Sequence, residues 1–191
     1  MIPQDRFVAS KSANEDAWLE ARRQGVTATE VALAATPAGF RDAVEQRRNP
    51  QPVEVNAYME FGLVWEDWVI EKISLEYDIA PNDFLIAGEN RRHLATPDGL
   101  SSDHRAIAEV KTTGKDWEKV SRLPLKYKRQ VQWQLHVTNA EFAVVAWLLR
   151  DVTATGVFVP AWFKPKVGVL ERDEEMIADL VEVAGRLLDG E

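Results

Sequence analysis

The sequence predicts an α/β domain in which helices alternate with short apolar strands. Three observations predict it. Residues 56–77 carry a long helical pattern, with Met59, Leu63, Glu66, Val69, Ile70, Ile73 and Tyr77 recurring at spacings of three and four. Short strand-like stretches follow at 84–87, 92–96 and 106–112. A helical stretch at 124–138 then leads into two more strand-like runs, at 142–149 and 156–163. At 191 residues, with 46% hydrophobic content and seven tryptophans, the chain is long and apolar enough for one domain with a real core.

Taken in order, residues 1–12 have little periodicity and read as an extended lead-in. Asn14 or Ser12 can cap a helix through Trp18 and Leu19 to Arg23, with Gly25 ending it. Thr27 caps a second helix containing Val31, Leu33, Ala34 and Ala35, and Glu30 completes a capping-box pattern. Residues 40–48 form a short third helix, and Asn49-Pro50-Gln51-Pro52 breaks the chain. In the long helix Glu66 falls within the apolar stripe; the plain explanation is an edge residue that snorkels to water. Gly62, one turn earlier, leaves room for a backbone or ligand to approach.

Pro81-Asn82-Asp83 turns the chain into 84–87, with 92–96 as its antiparallel partner. The helix at 124–138 mixes Tyr127, Val131, Trp133, Leu135 and Val137 with polar residues. The continuous apolar run at 142–149 suits a central strand, and 156–163 an outer one. Asp173 opens a final amphipathic helix through Met176, Ile177, Leu180, Val181, Ala184 and Leu188. The absence of repeats, low-complexity segments and linkers makes residues 1–191 a single domain.

Composition excludes several classes. The chain has no cysteine, which removes disulfides, thiolate zinc sites, iron–sulfur clusters and cysteine nucleophiles. Its apolar runs fall well short of the ~20 residues that span a bilayer, and no signal-peptide pattern opens it, so no membrane role and a cytosolic location are expected. A net charge of -8 gives no global attraction to nucleic acid. Charge is uneven, however. Lys111, Lys115, Lys119, Arg122, Lys126, Lys128 and Arg129 cluster against Asp116 and Glu118, whereas residues 171–191 are strongly acidic.

The basic cluster directly follows the chain's most informative stretch, residues 96–112, TPDGLSSDHRAIAEVKT. Asp98 sits in a Pro-Asp-Gly turn, and Glu109, Val110 and Lys111 lie in an apolar strand. Alternation along that strand projects Glu109 and Lys111 to one side and Val110 to the other. A carboxylate and an ammonium on one side of a mostly buried strand are costly to desolvate. Two acids and a lysine suit a divalent metal, with the lysine placed to handle an attacking water or a phosphate oxygen. Singly, each residue has an ordinary use: Asp98 in a turn, Lys111 at a strand end, Arg22 paired with Glu20 or Asp16. His93, His104 and His136 have no ligand spacing.

Four stretches together resemble a known family. Pro97-Asp98 followed by Glu109-Val110-Lys111 is similar to the signature of the PD-(D/E)XK nuclease superfamily. Trp18 through Arg22, then Gly25-Val26-Thr27-Ala28-Thr29-Glu30, is similar to the W-x-x-x-R…G-x-[TS]-A-[ST]-E motif of lambda-exonuclease-like, YqaJ-type phage recombination nucleases. Glu54-Val55-Asn56 through Gly62 and Glu66 resembles that family's helix bearing the first acid, and Tyr127-Lys128-Arg129-Gln130-Val131-Gln132 its Y-x-x-Q-x-Q helix. The resemblance covers nearly the whole chain.

It implies a restriction-endonuclease-like α/β fold, with a central mixed β-sheet flanked by helices. It makes Asp98, Glu109 and the Val110 main-chain carbonyl metal ligands, with Glu66 supporting directly or through water. Lys111 would orient or deprotonate the nucleophilic water, Gln130 would assist, and Arg22 and Thr29 would hold a phosphate, Thr29 near a helix amino terminus. The implied activity is a magnesium-dependent exonuclease, with manganese able to substitute, resecting double-stranded DNA ends from 5′ to 3′ and leaving 3′ overhangs for a single-strand annealing protein. The implied setting is the cytoplasm of a phage-infected or prophage-bearing bacterium. Lambda-like members form ring trimers; this chain is shorter, and its residues do not choose between trimer and monomer. The acids and lysine specify hydrolysis without specifying end recognition, so an endonuclease, a nuclease of other polarity and a non-cleaving binding module are the competing readings.

Overall fold

The computed structural model describes residues 1–51 and 54–190. The expected break at Asn49-Pro50-Gln51-Pro52 lies partly outside them, at Pro52. Helices α1 (Glu15–Arg23), α2 (Ala28–Ala34), α3 (Pro37–Arg48), α4 (Ala57–Tyr77), α5 (Leu125–Thr138) and α6 (Glu174–Asp189) surround two mixed sheets. One sheet has the order β1-β4-β5-β2, from β1 (Phe7–Ser10), β2 (Val26–Thr27), β4 (Phe84–Ala87) and β5 (His93–Ala95). The other runs β10-β8-β7-β6-β3, from β3 (Ile79–Pro81), β6 (Gly99–Ser101), β7 (Ala106–Thr113), β8 (Phe142–Val152) and β10 (Lys166–Glu171). The far end of β8 also pairs with β9 (Phe158–Pro160). The strands thus divide between two sheets where one was expected.

Strand alternation sorts the core onto two faces. Ile107, Ala143, Val145 and Trp147 join the cluster under α2, α5 and α6. Ala106, Ala108, Val110, Val144, Ala146 and Leu148 face Val69, Ile70 and Ile73 of α4. The Trp133 indole of α5 donates to the Leu94 carbonyl at 3.0 Å, tying the helix to the smaller sheet.

Capping chemistry sets most helix starts. The Asn14 side chain accepts from the Ala17 amide at 2.9 Å, and Asp173 from Met176 at 3.0 Å. Thr27 and Glu30 form the anticipated capping box. The third helix begins earlier than residue 40, because Thr36 caps it and Pro37 takes the first turn, where its missing N–H is harmless. Gly25 serves close approach more than helix termination: a Cβ there would lie 2.1 Å from the Arg92 carbonyl oxygen.

Other expectations are corrected. The lead-in is no loose extension. Phe7–Ser10 pairs with β4, and the buried Arg6 donates to the Ala87 carbonyl at 2.6 Å and to the Val137 carbonyl. On α4, Met59 and Leu63 are exposed, because Phe158 and Phe163 cover its first half from another side, meeting Phe61, Trp65 and Trp68 there. The run at 156–163 yields only three strand residues. The edge strand β10 was not anticipated; it makes β8 an interior strand along Phe142–Trp147.

Candidate active site

The site is built where β6 meets β7. These strands are antiparallel, with Gly99 opposite Ala108, so one step further along that register sets Asp98 across from Glu109. The Asp98 amide donates to the Ala108 carbonyl at 3.0 Å, and the Val110 amide donates to Asp98 Oδ2 at 2.6 Å. The Pro-Asp-Gly segment is therefore not a free turn. Asp98 sits at a bend tied to β7 just before β6 begins at Gly99, where a Cβ would meet Ile79 Cγ2 at 2.6 Å. Asn82 completes the clamp, its amide donating to the Asp98 carbonyl at 3.0 Å and its side chain to the Pro97 carbonyl at 2.8 Å.

Glu109 and Lys111 project together toward α5, and Val110 faces α4. The Glu109 side chain is 1% exposed and pairs with the Lys111 ammonium. Gln130 Nε2 donates to Glu109 Oε1 and Gln134 Nε2 to Oε2, each at 2.7 Å. An ion pair this deep survives only because the carboxylate's lone pairs are met by donors. Lys111 also lies 5.1 Å from the Tyr127 ring centroid. Gln134 was missed by sequence reasoning, although it lies one helical turn beyond Gln130 and so shares its face. Truncating it, Gln134→Ala, should leave Glu109 Oε2 without its donor and cost about 1–3 kcal/mol, measurable by urea unfolding.

Gln132 does a different job. Its Nε2 donates to the Glu171 carbonyl at 2.8 Å and its Oε1 accepts from the Asp173 amide at 2.9 Å, fastening α5 to the start of α6.

Three carboxyls share one electrostatic environment. Burial, then the charges of Glu109 and Glu66, push the Asp98 carboxyl well above the ordinary carboxylate range, against the Lys111 ammonium and the Val110 amide. Burial, then Glu109 and Asp67, likewise raise Glu66, which is half-buried on α4. Burial pulls Lys111 down, but Glu109 and Asp98 more than offset it and hold the ammonium above its usual value. Gly62 meets Thr112 in ordinary contact, 3.6 Å from an added Cβ to Oγ1, so α4 approaches β7 here without demanding a glycine.

Among the described residues no three Asp, Glu or His side chains close a full cation cage. Magnesium does not require one, since one or two carboxylates commonly hold it with waters and substrate phosphates completing the shell. Asp98 and Glu109 supply hard oxygen donors, and the crowding that raises Asp98 is negative charge that a cation would relieve. The donor set therefore fits such an ion.

Arg22 and Thr29 lie apart from this hydrogen-bonded group. Arg22 is half-buried with its guanidinium 4.4 Å from the Trp18 ring centroid, and Thr29 is exposed. Burial lowers the Arg22 pKa, opposed by Glu30. Among the described residues Arg22 makes no ion pair within 4.0 Å; it is Arg23 that bonds Glu20, at 3.1 Å. The histidines serve contacts: His93 Nδ1 lies 3.0 Å from His136 Nε2, and the Ile2 amide donates to His104 Nδ1 at 2.9 Å.

Mixed sheets flanked by helices, with Asp98 just before β6 set across from Glu109 of β7, agree with the PD-(D/E)XK nuclease fold. Solved structures of that fold superpose over most of the chain. An alkaline exonuclease (LHK-Exo) from Laribacter hongkongensis has a TM-score of 0.69 at 22% identity over 91% of each chain. Its complex with dAMP gives 0.70 at the same identity and coverage. A phage-related exonuclease from Haemophilus somnus 129PT gives 0.65 at 13% identity, over 87% of this chain and 92% of the other. A comparison with curated proteins yields no match. The chain belongs to the YqaJ-like viral recombinase domain family, whose model matches residues 17–141.

Proposed function

We propose that the protein is a magnesium-dependent DNA exonuclease that resects one strand of duplex DNA from its 5′ end, leaving a 3′ overhang for a single-strand annealing partner. The observation that carries this reading is the buried Glu109, held by Lys111, Gln130 and Gln134 directly across from Asp98. Asp98, Glu109 and the Val110 carbonyl, with Glu66 in support, would hold magnesium, or manganese with the same oxygen preference, and the bound ion would supply polarisation of the phosphoryl oxygen and a lowered pKa for water.

The chain's own groups do the rest. Lys111, paired with Glu109 beside the acids, is placed to orient or deprotonate the attacking water or to meet a non-bridging phosphate oxygen. Gln130 and Gln134 fix the Glu109 carboxylate. Arg22 offers a planar pair of donors to a terminal phosphate, and Thr29 in the first turn of α2 is the second phosphate-holding candidate. The basic residues around the start of α5, mostly exposed, track the duplex backbone. The LHK-Exo complex contains dAMP, the kind of mononucleotide that trimming from an end releases.

The setting is a phage-infected or prophage-bearing bacterial cytoplasm; among the described residues no helix is long and apolar enough to cross a membrane. An end-labelled linear duplex compared with a covalently closed circle, in magnesium, tests the exonuclease reading. Mononucleotides should leave the linear 5′ end while the circle stays intact. Rapid cutting of the circle would overturn the exonuclease reading, and no hydrolysis of either would favour a binding module.

A further inference from the structure

We infer that the flank of α4 carrying Tyr58, Trp65 and Trp68, rooted on the buried Phe61, is a binding track for single-stranded DNA, the strand that resection leaves behind. The source of that strand rests on the exonuclease reading above; the binding itself does not.

The four α4 residues recur at spacings of three and four and so share one helix face. Two rings from the segment around β9 extend them into a continuous aromatic strip. Phe158 lies 4.9 Å from Tyr58 and 6.3 Å from Phe61 between ring centroids. Trp65 lies 6.0 Å from Phe61, 5.5 Å from Trp68 and 5.7 Å from Phe163. Phe61 is buried and roots the strip in the core, Trp65, Trp68 and Phe158 are half-buried against it, and Tyr58 at 56% and Phe163 at 70% exposure offer ring faces to solvent.

A cation stands at each end. The Arg150 guanidinium lies 4.5 Å from the Tyr58 centroid and 5.1 Å from that of Phe158, and the Lys72 ammonium 5.2 Å from that of Trp68. Among the described residues neither has a carboxylate partner within 4.0 Å. The nearby acids Glu60, Asp67 and Glu71 repeat on a different stripe of the helix.

The strip begins where the catalytic strand ends. Arg150 follows Leu149, the register partner of Thr113, and a Cβ on Gly114 would lie 3.6 Å from Arg150 Nη2. Lys111 is three residues upstream of Gly114. Exposed rings at Tyr58 and Phe163, with half-buried rings between them and cations that lack a carboxylate partner among the described residues at either end, form an arrangement on which splayed bases stack while phosphates meet charge. Duplex DNA keeps its base faces stacked internally and cannot use it.

Fluorescence anisotropy with labelled oligothymidylate in EDTA tests the assignment, because no cleavage is needed for it. The wild-type chain should bind, and Tyr58→Ala and Phe163→Ala should each weaken affinity about tenfold. Arg150→Gln should lower the slope of log K against log salt by about 0.7, the share of one phosphate contact on a single strand. Circular dichroism confirms that each variant is folded, and the doubly substituted chain is run in sedimentation as well. Unchanged affinity in folded variants overturns the track. So does a shift in oligomeric state with affinity intact, which would make the strip a contact between copies. If the wild type binds in EDTA yet hydrolyses nothing in magnesium, the track stands and the exonuclease reading falls.

Discussion

Lys111→Ala should slow DNA cleavage about 10³-fold while leaving DNA binding in place, because the ammonium acts on the reacting water or phosphate and not on the duplex at large. The same change strips Glu109, 1% exposed, of its counter-charge. Breaking one side of a buried pair costs about 3–5 kcal/mol, so the variant should also unfold at lower urea. The double variant Glu109→Gln/Lys111→Met removes both charges and should recover most of that stability without recovering cleavage. A folded Lys111→Ala chain that cut at the normal rate would remove Lys111 from the mechanism.

Asp98 should link stability, pH and metal in a single residue. Because burial and the neighbouring carboxylates raise its pKa, the folded chain binds this proton more tightly than the unfolded chain does. Its contribution to stability is fully present below the ordinary carboxylate range and is lost as pH rises through the raised value. In EDTA, therefore, the wild type should lose melting temperature relative to Asp98→Asn as pH rises above the ordinary carboxylate range. Magnesium should return the loss, most strongly at high pH where it competes with fewer protons, and cleavage should climb over the same range. Asp98→Asn should gain little from magnesium and cleave nothing. Parallel melting curves for the two proteins across pH would show that Asp98 does not titrate as argued.

The parts of the site legible in the sequence are those whose geometry is local. Glu109 and Lys111 share a side because strands alternate, and the Asn14, Thr27 and Asp173 caps follow from the orphan amides that begin any helix. Gln130 came from a short motif on one helix. Gln134 carried the same signal, one turn further on, but its value is visible only once the carboxylate it meets is known. Tyr58, Phe61, Trp65 and Trp68 could be read as a stripe, yet the Met59–Leu63 stripe on the same helix read equally well, and the sequence offered no way to choose between them.

By itself, the sequence determined the α/β class, the starts of the helices capped by Thr27 and Asp173, and the strand that carries Glu109 and Lys111. Tertiary structure decided which residues meet. Antiparallel pairing set Asp98 across from Glu109, and α5 brought Gln130 and Gln134 onto it from more than twenty residues away. It also drew Arg6 into the core, divided the strands between two sheets and covered the first half of α4 from the side of β9. The physical reason is range. Capping, alternation and helical period act over a few residues, whereas strand register and core contacts join segments distant in the chain, where many pairings satisfy the same local pattern and only burial of the whole selects one.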